Sequence, residues 1–162
     1  MLLAIDIGNT NIHVGAFEDK NLVSVFSMGA DGMRSGDEYA FTLKSLIENS
    51  GHSLEDFDGA IVGSVCPSIT PKIQYAIKKL IQVPVTTVGP GVKTGYSIKV
   101  DDPSQLGADL VANTAAAIEE VSYPAIVIDF GTATTFDIVD KNSNFIGGII
   151  APGLKIQAKS LS

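Results

Sequence analysis

Three things are scarce in this chain: cysteine, clustered positive charge and long apolar runs. One cysteine in 162 residues excludes a disulfide framework or a cysteine-built zinc site within the chain and fits a reducing cytoplasm. That residue, Cys66, sits between Val65 and Pro67 and reads as a small packed side chain. Eleven Lys and Arg face 18 Asp and Glu, for a net charge of -7. With no basic cluster, nucleic acid is excluded as a partner, because backbone binding needs grouped Lys and Arg. No apolar stretch reaches the ~18–20 residues that span a bilayer, and Met1 leads straight into a strand without a basic leader. No membrane partner is therefore expected. Only two histidines are present, His13 in a strand and His52 in a helix-ending turn, and neither reads as catalytic. What remains is 45% hydrophobic, enough for one ordinary domain, or one domain and part of another.

The most informative stretch runs from Pro124 to Asp140. Ala125-Ile126-Val127-Ile128 is apolar without alternation, which suits a strand buried on both faces. Asp129 stands at its end and Gly131 follows. Then come three hydroxyls (Thr132, Thr134, Thr135) and a second strand, Phe136 to Val139. Gly131 allows close approach of a ligand to the backbone, and the hydroxyls and main-chain N–H groups can donate to anionic oxygens. Asp129 would repel a phosphate, so its useful role is to hold a bridging cation. A plain hairpin with threonines chosen for strand propensity reads the same residues differently.

The N-terminus says nearly the same thing. Leu2 to Ile5 is an apolar strand, followed by Asp6-Ile7-Gly8-Asn9-Thr10, a strand over Ile12 to Phe17, a turn at Glu18 to Asn21, and a strand over Leu22 to Met28. In the later copy the turn is Asp140 to Asn144 and the third strand Phe145 to Ile150. Such a repeat predicts a duplicated domain with two phosphate-type turns facing each other.

Between the copies the pattern alternates. A helix capped by Ser35 or Asp37 is expected to Asn49, with Phe41, Leu43, Leu46 and Ile47 inward. A strand over Ala60 to Val65 precedes a helix from near Pro67 to Leu80, with Ile69, Ile73, Ile77 and Leu80 on one stripe. A strand spans Pro84 to Val88. The order βββαβαβ gives a mixed sheet flanked by helices, an α/β architecture. Val88 to Gly107 is a long Gly- and Pro-rich loop of the kind that lines sites. Ser104 is a candidate cap for a helix to about Val121 with Asp109 in its first turn, where the helix dipole favours a carboxylate whatever else it does.

Asp6-Ile-Gly-Asn-Thr10, Ser64-Val-Cys-Pro67, Lys93-Thr-Gly95, Gly107-Ala-Asp109, Asp129-Phe-Gly-Thr-Ala-Thr-Thr135 and Gly147 to Gly153 occur in the order seen in type III pantothenate kinases. The chain resembles that family, within the acetate and sugar kinase/actin-like ATPase superfamily. The resemblance implies a duplicated ribonuclease H-like fold, with a first domain over 1–121 and the start of a second over 122–162. It implies phosphorylation of pantothenate by ATP, with Mg²⁺ and a monovalent cation (K⁺ or NH₄⁺), in a cytoplasmic homodimer. Carried over by position, Asp6, Gly8, Asn9 and Thr10 form the first phosphate loop. Gly131, Thr132, Thr134 and Thr135 form the second, with Asp6 and Asp129 as metal-side carboxylates. Asp109 corresponds to the carboxylate that takes the substrate hydroxyl's proton. Thr94, Tyr96, Gly107 and Ala108 lie along the pantothenate pocket.

Two features depart from the family pattern. Leu110 stands where an arginine follows Gly-Ala-Asp, removing a cationic fork; an arginine restored there is expected to tighten pantothenate. The second domain is expected to be incomplete, leaving one apolar sheet face bare. A complementing chain, or a catalytically silent subunit of the same fold, is the alternative these departures leave open.

Overall fold

The computed structural model describes residues 1–161, which form two compact units meeting at Val88/Gly89. In the first unit, β1 (Leu2–Ile7), β2 (Asn11–Glu18) and β3 (Asn21–Gly29) are followed by α1 (Gly36–Asn49), β4 (Gly59–Ser64), α2 (Thr70–Leu80) and β5 (Val85–Thr87). The sheet order is β3-β2-β1-β4-β5. β2 runs antiparallel to β1 and β3, whereas β4 and β5 extend β1 in parallel.

Side-chain period fixes which face is core. Leu3, Ile5 and Ile7 of β1 and Ile12, Val14 and Ala16 of β2 are buried, together with Val62 of β4. They form one cluster with Tyr39, Leu43 and Ile47 of α1 and Ile73 and Ile77 of α2. The intervening Leu2 and Asp6 are exposed, the one-sided burial expected of a sheet covered on one face. α1 starts with a reciprocal capping box, in which Ser35 accepts from the Glu38 amide and Glu38 from the Ser35 amide, satisfying two otherwise orphan donors. Phe41, expected to point inward, is 75% exposed. Tyr39 and Ala40 occupy the buried face instead, in helical phase with Leu43 and Ile47, while Phe41, two residues on from Tyr39, falls on the opposite side.

The second unit holds the long loop, α3 (Ala108–Glu120), β6 (Ala125–Phe130), β7 (Ala133–Val139), β8 (Phe145–Pro152) and a short α4 (Leu154–Ser160). β6, β7 and β8 form an antiparallel sheet in sequence order. Two expectations change here. Ser104 lies in a 3₁₀ turn capped by Asp102, and α3 starts from Gly107 without a side-chain cap. α3 packs on β6 and β7, within the compact unit that begins at Gly89. Most tellingly, β6 is not buried on both faces: Ile126, Ile128 and Phe130 are 63%, 47% and 66% exposed. The face covered by α3 is the other one, where Val139, Asp137 and Phe145 are buried. No helix among the described residues is long and apolar enough to cross a membrane.

Candidate active site

Each Asp-x-Gly stretch ends a first strand and turns into a second. In the first unit the Gly8 amide donates to the Asn11 carbonyl at 3.0 Å, closing the turn. In the second, the Gly131 amide donates to the Ala133 carbonyl at 2.9 Å. The chain after the third strand then ties back to each turn. The Ala30 amide reaches the Thr10 carbonyl at 2.9 Å, and the Gly153 amide reaches the Thr132 carbonyl at 3.1 Å. Register shifts fall at Ala16/Phe17 and at Ile138/Val139, at equivalent places once Asn11 is matched with Ala133. This matching pairs Gly8 with Gly131 and Thr10 with Thr132. Asn9 is left as one extra residue in the first turn.

The second turn is the tighter one. A Cβ on Gly153 would overlap the carbonyl oxygens of Gly131 and Thr132, so only glycine fits there, for close approach of backbone to backbone. Thr134 and Thr135 are not loop residues. They lie at the start of β7, opposite Phe130 and Asp129 respectively, and both are buried with hydroxyls that no group among the described residues meets. Asp129 is exposed at the strand end. Asp6 is likewise exposed at the end of β1, opposite His13.

α3 brings the carried-over substrate residues together within the second unit. Gly107 is its N-cap and Asp109 lies in its first turn. The Leu110 amide donates to Asp109 Oδ1 at 2.9 Å, which anchors one carboxylate oxygen. Tyr96 Oη donates to the Val111 carbonyl at 2.8 Å, and Thr94 Oγ1 donates to the Tyr96 carbonyl at 3.0 Å. The loop is thereby fastened to the helix. Burial raises the Tyr96 phenol above its ordinary range, with the Asp137 charge adding to the effect. Leu110 is only 7% exposed. An arginine there would have to bury a guanidinium or displace packing, so restoring the family residue does not simply add a cation.

The structure shows groups that the motif reading missed. Asp137 in the middle of β7 is fully buried, and neither carboxylate oxygen has a hydrogen-bond partner among the described residues. It lies on the same sheet face as Asp129 and Thr135, the face α3 covers. Burial, then the charges of Asp109 and Asp129, push its pKa up to about 6. The signal in the sequence was an aspartate interrupting Phe136 and Ile138. Thr114 of α3 is also buried, with its hydroxyl beside the Tyr96 phenol. The third missed group is Cys66, whose thiol lies against the first turn.

Metal chemistry can be tested against these donors. Among the described residues no three His, Cys, Asp or Glu side chains gather as a metal cage. Mg²⁺ does not require one, since it commonly keeps waters and uses one or two carboxylates with substrate phosphates. Asp6 in the first unit and Asp129 in the second are each an exposed carboxylate of that kind. Asp129 with the facing Thr135 hydroxyl also offers the all-oxygen donor chemistry that a monovalent cation takes.

The family model for type III pantothenate kinase matches residues 2–162. A curated type III pantothenate kinase of Halalkalibacterium halodurans is 42% identical over 161 residues, covering 99% of this chain. The chain spans 63% of that relative's length. Among solved structures, an activator of 2-hydroxyisocaproyl-CoA dehydratase from Clostridium difficile with bound ADPNP superposes with a TM-score of 0.56 at 13% identity, over 99% of this chain and 52% of that one. Porphyromonas gingivalis acetate kinase gives 0.51 at 11%, over 93% and 57%. These similarities show the actin-like ATPase and sugar-kinase fold. By its matched sequence, this chain belongs to the type III pantothenate kinase family.

Proposed function

We propose that this chain serves the ATP-dependent phosphorylation of pantothenate to 4'-phosphopantothenate, the step that opens coenzyme A synthesis. The observation that carries this reading is Asp109. It stands in the first turn of α3 with Oδ1 fixed by the Leu110 amide, so Oδ2 remains to accept a proton from an alcohol. Family membership supplies the substrate class. Phosphoryl transfer asks little covalent chemistry of the protein and depends on alignment and charge stabilisation.

In this reading Asp109 orients the pantothenate hydroxyl and takes its proton as the oxygen attacks the γ-phosphorus. The bond from that phosphorus to the β,γ-bridging oxygen breaks, and ADP leaves with the electron pair. The Gly8 and Gly131 turns, with Asn9, Thr10 and Thr132, present donors to phosphate oxygens. Thr134 and Thr135 support the second turn from inside the sheet. Tyr96, Thr94, Gly107 and Ala108 shape the pantothenate side. Asp6 and Asp129, one in each unit, are the carboxylates that would serve Mg²⁺, which would neutralise phosphate charge, and K⁺ or NH₄⁺ is assigned to Asp129. The same reading makes each Asp-x-Gly hairpin the start of one ribonuclease H-like repeat, 1–121 and 122–162. It also places the protein in the cytoplasm as a homodimer or with a complementing chain, supported by the exposed apolar face of β6 to β8.

The test is ADP release that depends on pantothenate, compared between the natural sequence and Asp109→Asn. The substitution keeps shape and removes the proton acceptor. The expected loss in turnover is roughly 10²–10⁴-fold, with little change in KM. Undiminished turnover would remove Asp109 from the mechanism.

A further inference from the structure

Asn9 is the one residue of the first turn without a counterpart in the second, and an exposed amide on an extra residue needs something to hold it. The end of β4 supplies it. The Val65 amide donates to the Ile7 carbonyl at 3.1 Å, bringing the chain alongside the turn. The Cys66 thiol then lies 3.3 Å from the Gly8 carbonyl oxygen and 3.4 Å from Asn9 Oδ1. Cys66 is itself tightly fixed. Its amide donates to Ser64 Oγ at 3.0 Å, and its carbonyl accepts from Thr70 Oγ1 at 2.9 Å. Thr70 Oγ1 also lies 2.7 Å from Ser64 Oγ.

We propose that Cys66 is a positioning residue for Asn9: its single S–H is shared between Asn9 Oδ1 and the Gly8 carbonyl oxygen, so that the Asn9 NH₂ faces outward as a donor. The inference rests on the reading of this turn as phosphate-binding. An asparagine amide has one acceptor and one donor end, and which end meets the ligand follows from what the other end binds. A thiol donates to Oδ1 and leaves Nδ2 for an anionic oxygen. The opposite orientation would point an acceptor at phosphate. Burial, then the charge of Asp6, raises the Cys66 pKa, which keeps the group in its donating form at neutral pH. The second turn has no asparagine and makes no such demand.

The claim is tested in two ways on the full chain. Without ligand, the side-chain amide of Asn9 is followed by NMR. Cys66→Ala is expected to increase its mobility and shift it toward free-amide values, whereas Cys66→Ser retains order. With ATP–Mg²⁺, calorimetry is expected to show Cys66→Ala weakening binding by roughly three- to tenfold, the range of one net hydrogen bond. Cys66→Ser should stay within about twofold, and Cys66→Ala should add nothing on top of Asn9→Ala. An Asn9 amide equally ordered in Cys66→Ala overturns the proposal. A chain whose Asn9 responds as described but which binds no ATP overturns the phosphate-binding reading instead, so the two failures are distinct.

Discussion

The same strand positions meet opposite environments in the two units. Leu3, Ile5 and Ile7 of β1 are at most 3% exposed, yet Ile126, Ile128 and Phe130 of β6 are 47–66% exposed. In the first unit, α1 and α2 cover this face. In the second, α3 lies on the reverse face, where Asp137 and Val139 are buried. Strand sequence therefore specifies a surface fit for burial, while the helices that follow decide which surface is used. The turns differ less: both are closed by the glycine amide and latched by the residue after the third strand.

Matched truncations sharpen this contrast most. Ile5→Ala removes side-chain volume from a packed core and is expected to cost about 2–5 kcal/mol. Ile128→Ala, on an uncovered face, is expected to cost less than about 1 kcal/mol. Chemical denaturation of both variants checks this. Equal losses would mean that the β6 face is covered in solution.

The next contrast is between Gly15 and Asp137, which occupy matching places in β2 and β7. The pKa of Asp137 is raised from 3.8 to about 6, so the folded state binds its proton more tightly than the unfolded chain. Its stabilising contribution is present below about 3.8 and is lost as pH rises through about 6. Asp137→Asn is therefore expected to gain little at pH 4 and to stabilise the second unit at pH 8. The limit is about 3 kcal/mol, from 1.36 kcal/mol for each pH unit. Melting curves across that range would show the gain; a variant less stable at pH 8 would contradict it.

Much of this was legible in the sequence. Asp6-x-Gly8 and Asp129-x-Gly131 announced two turns, and the alternation between them gave the mixed sheet and its order of elements. Three particulars were not. Apolar continuity over Ala125 to Ile128 cannot say which face is covered, because that depends on where α3 packs. Thr134 and Thr135 read as loop donors from their chemistry, but pairing with Phe130 and Asp129 places them in the strand. Cys66 looked like packing alone, since its neighbours in space, Gly8 and Asn9, are almost sixty residues away in sequence.

The latches give a smaller contrast. Gly153→Ala would press a methyl group onto the Gly131 and Thr132 carbonyls and is expected to cost roughly 1–3 kcal/mol, the scale of overpacking. Ala30→Gly, at the matching place of the first turn, is expected to cost no more than about 1 kcal/mol. Thermal melts of the two variants rank them, and the reverse ranking would break the equivalence of the turns.

The account's central claim is that each Asp-x-Gly turn serves ATP–Mg²⁺ binding through its terminal carboxylate. Calorimetric titration of ATP–Mg²⁺ onto the natural chain, Asp6→Asn and Asp129→Asn tests it most directly. The prediction is that the natural chain binds and that each variant binds at least about tenfold more weakly, the scale of a lost charged contact, with unchanged melting temperature. Binding in both variants equal to that of the natural chain, or no binding by the natural chain, would contradict it.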